Sequence, residues 1–96
     1  MIVDLVNFRV RSGKDQEFEA LHQEWIKLMR RSRGFINQVM LRSVEEPGEF
    51  FAEIRWVNKD YRDRFSAHED KESKALGQKS ASILEGPPVH RLLESV

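Results

Sequence analysis

Three side chains could exchange a proton from an otherwise apolar helical face: His22, Tyr61 and His68. An imidazole titrates near neutrality and can act as a base if a pocket reaches it. A phenol and an imidazole on one wall can hold a phenolate-type ligand. Trp25 and Phe65 lie on the same helical faces and could provide a flat apolar platform for such a ligand. His22, Tyr61 and His68 are therefore the candidates for base and hydrogen-bonding roles, and Trp25, Tyr61, Phe65 and His68 for ligand contact. The competing reading is structural. On it, His22 is a core-lining histidine with a backbone or water partner, and Trp25 and Phe65 are core.

Other chemistries lack their residues. The chain has no cysteine, which removes disulfides, thiolate metal sites and a cysteine nucleophile. Its three histidines fall in no His-x-x-x-His or His-x-x-Glu pair, so no metal site is expected. The glycines sit at or near turns and ends, not in a phosphate-binding loop. Arg30, Arg31 and Arg33 complement the dipole at the end of a helix. Sixteen basic residues balance 16 acidic ones, which argues against nucleic acid or an anionic membrane as partner. Met1–Leu5 has no basic n-region and Asp4 interrupts its apolar run, so no signal peptide is read and the cytoplasm is the expected location. No apolar run approaches the roughly 20 residues of a membrane span.

The elements that position the candidates follow from periodicity. Ile2–Arg11 reads as a strand, with Ile2, Val6, Phe8 and Val10 on one face and Asp4 among them; Val3, Leu5, Asn7, Arg9 and Arg11 face the other way. Lys14–Arg33 reads as a helix whose stripe is Phe18, Leu21, His22, Trp25, Leu28 and Met29. Ser12 with Asp15 has capping-box spacing, and Gly34 stands at the C-cap position. Phe35–Val44 and Phe50–Val57 form a hairpin around Pro47-Gly48. Alternation places Ile36 and Met40 on one face of its first strand and Phe35, Val39 and Leu41 on the other. Asn58 caps a short helix, Lys59–His68, carrying Tyr61, Phe65 and His68 inward. Glu69–Ser82 reads as a second, thinly apolar helix that Gly77 could break, and Val89–Val96 as a last strand with His90 exposed or at a subunit seam.

The order β-α-β-β-α-(α)-β defines an α+β, ferredoxin-like fold in a single domain, residues 1–96: a four-stranded antiparallel sheet with helices on one face. The sheet's other face is also partly apolar, and nothing in the chain remains to cover it. Each such side chain left exposed forgoes about 1.5–3 kcal/mol of burial. A homodimer through the sheet faces is therefore expected, with Asn7, Arg9, Glu53 and Arg55 as polar contacts across it.

Val10-Arg11-Ser12-Gly13-Lys14 with Phe18, Gly34-Phe35 followed by Leu41-Arg42, and Trp56 with Asn58 carry a resemblance to the antibiotic biosynthesis monooxygenase family of dimeric α/β barrels. The resemblance covers nearly the whole chain. It implies a homodimeric barrel, a pocket between helices and sheet in each subunit, and cofactor-independent oxygenation of phenols or quinols as one activity, with no flavin, haem or metal. The family's haem-degrading branch uses an Asn, a Trp and a His that fall here on Val6, Phe65 and a position near Ala75. Asn7 is one residue out of register, which turns a strand side chain to the opposite face, and His68 comes about two helical turns too early. Haem degradation is therefore not expected. The alternative to an oxygenase is a non-catalytic dimeric module of the same fold that binds a metabolite or protein partner. An RNA-binding module is disfavoured by the charge balance and the missing aromatic sheet motif.

Overall fold

A computed structural model describes residues 1–67 and 70–96. The chain runs β1 (Ile2–Arg9), α1 (Asp15–Arg30), β2 (Phe35–Arg42), β3 (Glu49–Trp56), α2 (Lys59–Ser66), α3 (Lys71–Ile83) and β4 (Val89–Glu94). The strands form one antiparallel sheet in the order β2-β3-β1-β4. This is the ferredoxin-like arrangement expected from the element order.

Helix α1 buries Phe18, Leu21, His22, Ile26, Leu28 and Met29. Ile26 belongs to the stripe and Trp25 lies at its half-buried edge. The core has two adjoining parts. Phe18 packs between Phe8 and Phe50 with ring centroids 5.0 and 4.8 Å away. Ile26, Met29 and Trp56 form the second part, against Phe35 and Phe65.

Helix termini depart from the expected caps at α1 alone. Its N-cap is Lys14, which makes no side-chain cap, so Ser12 does not form a capping box. Gly13, at φ 79°, turns the chain so that Phe18 N–H reaches the Lys14 carbonyl at 2.9 Å. The helix stops at Arg30, earlier than Arg33, and Ser32 Oγ closes its end by donating to the Leu28 carbonyl at 2.9 Å. Asn58 accepts from Tyr61 N–H at 3.1 Å, as its cap position predicts. Asp70 accepts from Ser73 N–H at 2.8 Å and starts α3, which runs through Gly77 without a break.

The first hairpin strand corrects the simple alternation. A bulge between Phe35 and Asn37 places Phe35 opposite Trp56, and Met40 opposite Ala52. Phe35 and Met40 therefore share the helix-facing side, and Ile36 is exposed. One extra residue reverses the faces on either side of a bulge.

The far side of the sheet carries exposed Val39, Leu41, Val89 and Leu93. Its polar groups pair within the chain: Asn7 Nδ2 donates to Glu49 Oε2 at 3.0 Å, and Arg55 Nη2 to Glu53 Oε1 at 3.1 Å. Arg9 lies 3.3 Å from Glu49. No helix of the described residues is long and apolar enough to cross a membrane.

Candidate active-site cavity

A cavity of about 430 Å³ opens between the sheet and the helices. Strand β1 contributes Asp4, Val6 and Phe8, and α1 contributes His22, Trp25 and Met29. Ile54 and Trp56 form its floor on β3; Phe65 on α2 and Ser80 on α3 close other sides. The even-numbered residues of β1 and β3 reach it because the strand period sends them all to the helix side. The volume lies within the usual range for small-molecule sites, about 300–1,000 Å³.

Three of the sequence candidates meet here: His22, Trp25 and Phe65. Trp25 and Phe65 stand edge to face, centroids 6.1 Å apart, and Phe65 is 5.3 Å from Trp56. They form an aromatic wall. His22 is 5% exposed, and its Nε2 lies 2.7 Å from Gln38 Oε1. Burial pushes the imidazole pKa down, with the Gln38 hydrogen bond opposing in part, so His22 is neutral at neutral pH. With the Gln38 carbonyl accepting from Nε2–H, the lone pair is on Nδ1.

Tyr61 is placed elsewhere. It is not among the residues lining the cavity; its ring packs on Gly34, where an added Cβ would overlap it, and beside the Trp56 cluster. Arg64 lies over the same ring, 5.3 Å from its centroid. The geometric reason is that Gly34, at φ 88°, brings the α1–β2 turn against the first turn of α2. His68 lies outside the described residues.

A polar cluster at the cavity is the part that sequence reasoning missed. Asp4, 4% exposed, accepts from Arg62 Nε at 3.1 Å. His90 Nδ1 lies 3.0 Å from Asp4 Oδ1. His90 is thus exposed, as one of its two expected placements has it, and lies on the cavity side of β4 opposite Val6. Burial alone would raise the Asp4 pKa. The His90 hydrogen bond, and the charges of His90 and Arg62, outweigh it and hold the carboxyl below its usual range. The available signal was Asp4 itself: a carboxylate on the apolar face of a strand must find partners. Its partners could not be read, since both come from distant elements.

The positions that the haem-degrading branch would require carry other groups. Val6 is buried in the cavity wall, Asn7 faces the opposite side of the sheet beside Glu49, and Ala75 is exposed. No group of three or more His, Asp or Glu side chains among the described residues could hold a metal ion.

The profile of the antibiotic biosynthesis monooxygenase family matches residues 1–74. No curated protein matches the sequence. Among solved structures, SnoaB of Streptomyces nogalater, a cofactor-independent oxygenase, superposes with a TM-score of 0.85 at 17% identity, over 99% of this chain and 92% of that one. An antibiotic biosynthesis monooxygenase candidate from Bordetella bronchiseptica superposes at 0.86 with 21% identity, covering 99% and 96%. Another from Caulobacter crescentus CB15 gives 0.85 and 22%, covering 99% and 89%. At these identities the likeness shows the shared fold.

Proposed function

The chain belongs to the antibiotic biosynthesis monooxygenase family, and from that premise we propose that it binds a small, flat, apolar phenol or quinol and oxygenates it without a bound cofactor. The observation that carries the reading is the cavity: an aromatic wall of Trp25, Phe65 and Trp56 beside proton-exchanging groups. SnoaB, of the same fold, is a cofactor-independent oxygenase.

The chemistry asks little of the protein beyond placement, proton removal and exclusion of water. Trp25 and Phe65 hold the ring of the ligand. A base takes its hydroxyl proton, and the resulting electron-rich anion donates electrons to dioxygen. The apolar lining shields the reduced-oxygen intermediate from water. His22, held by Gln38, lines the α1 wall and positions the ligand there. His68 remains a candidate on the sequence reading alone. Haem degradation is disfavoured by Val6 and Ala75 at the positions where that branch has Asn and His.

A second copy of the chain covers the apolar far face of the sheet in this reading, leaving one cavity per subunit. Exposed Val39, Leu41, Val89 and Leu93 support it, since an uncovered apolar face of this kind marks an association surface.

The decisive experiment is oxygen uptake with a panel of quinols and anthrone-like phenols. Uptake with one class, slowed at least tenfold in His22→Ala, is expected. No uptake across the panel would overturn the oxygenase reading and favour a non-catalytic binding module.

A further inference from the structure

We propose that His90, oriented by Asp4, is the group that takes the hydroxyl proton of the ligand, so that the cavity selects acidic hydroxyl compounds and binds them as anions. The inference deepens the reading above and rests on the cavity being a ligand site.

Asp4 is ionised and can only accept hydrogen bonds. His90 Nδ1, 3.0 and 3.2 Å from its two oxygens, must therefore carry a proton and donate it. In the neutral imidazole this leaves the lone pair on Nε2. Both Asp4 and His90 line the cavity, and the His90 side chain is 45% exposed, so that nitrogen can meet a ligand. Asp4 acts as a positioning residue: buried, fixed by Arg62 Nε, and able to stabilise the imidazolium that forms. Arg62 Nη2, 3.3 Å from His90 Nδ1, adds positive charge. Among the described residues, the other charged and titratable groups lining the cavity are Lys74 on α3 and His22 on α1. The field around Nε2 is thus cationic once the proton has moved, which suits an oxyanion. The step balances simply. The ligand O–H bond breaks, the His90 Nε2–H bond forms, and the ligand keeps the electron pair.

The arrangement also makes His90 distinct from His22. His22 has an amide partner, Gln38, which fixes the ring but adds no charge. His90 has a carboxylate partner, which fixes the Nδ1–H tautomer and can stabilise the imidazolium once the proton has moved.

The test uses para-nitrophenol, whose neutral and ionised forms differ in colour, at about one pH unit below its own pKa, where about one-tenth of the free probe is ionised. Bound to the wild-type chain, its ratio of anion to neutral form should rise at least tenfold. His90→Gln should return the ratio to that of the free probe while binding persists, and Asp4→Asn should lower it by several-fold. The ¹⁵N spectrum of the unmutated protein gives an independent reading: His90 should be the Nδ1–H tautomer. An anion ratio unchanged in His90→Gln, a neutral bound probe in the wild type, or an Nε2–H tautomer would overturn the role of His90 while leaving the cavity a ligand site. Failure of any flat phenol to bind the wild type would overturn the cavity reading itself, and this inference with it.

Discussion

Arg62 donates through Nε to the Asp4 carboxylate at 3.1 Å, linking α2 to the first strand across 58 positions of sequence. Both side chains are largely withdrawn from water, 16% and 5% exposed. A buried pair of this kind tolerates loss of one partner poorly, because the other is left as an uncompensated charge. Arg62→Met should therefore destabilise the protein by about 3 kcal/mol. Arg62→Met combined with Asp4→Leu should recover part of the loss, as a double-mutant cycle in urea would show.

Acid should unfold the protein in two stages. Burial lowers the His22 pKa, so the unfolded chain takes up a proton near its ordinary value of 6.5 that the folded chain resists. Stability therefore falls as the pH drops below that value, until the folded His22 titrates as well. The Asp4 carboxyl is also depressed. Its contribution is complete above its ordinary value of 3.8 and is lost as the pH falls through the folded pKa. His22→Gln should remove the upper stage, seen as a flatter urea midpoint between about pH 7 and pH 5. A wild-type midpoint constant over that interval would contradict the assignment.

Gly34→Ala should be costly. The residue has φ 88°, and a Cβ there would overlap the Tyr61 ring. The left-handed backbone costs about 1–2 kcal/mol, and displacing the ring adds a further ~1–3 kcal/mol. Tyr61→Ala removes the overlap, so the double variant should lose less than the sum of the single losses. Strict additivity would mean that Tyr61 does not rest on Gly34.

Leu93→Glu should yield a folded monomer. Leu93 is exposed on the far sheet face, 46% accessible in the isolated chain. A charge there costs a single folded chain little and would be buried unpaired between two. Sedimentation should show a dimer for the wild type and half that mass for the variant, with unchanged circular dichroism. A wild-type monomer at micromolar concentration would remove the dimer from the proposal.

Phe65→Ala should weaken binding of a flat aromatic probe by about tenfold, equivalent to ~1.4 kcal/mol, by breaking the edge-to-face wall with Trp25. Binding should quench tryptophan fluorescence in the wild type, and Trp25→Phe should reduce the quench.

Features governed by near neighbours were legible in the residues alone. The 3.6-residue spacing from Phe18 to Met29 makes α1, the Asn58 amide caps α2, and Pro47-Gly48 turns the hairpin, each through contacts within a few positions. The element order then leaves few topologies for a chain of this size. His22, Trp25 and Phe65 were accessible as cavity candidates because a helical stripe must face the sheet. Tyr61 shares a helical face with Phe65, yet Gly34 draws it away from the cavity. That contact depends on how one turn packs against another element, not on the period of either.

Tertiary structure decided what lies at long range. The bulge beside Ile36 appears when β2 pairs with β3, and it carries Phe35 over to Trp56. Asp4 and His90 are 86 positions apart, and their contact exists because β4 pairs with β1 in the register that sets His90 opposite Val6. A shift by one residue would turn His90 to the far face. Side-chain types record which groups can bond; only the register of the folded sheet determines which of them meet.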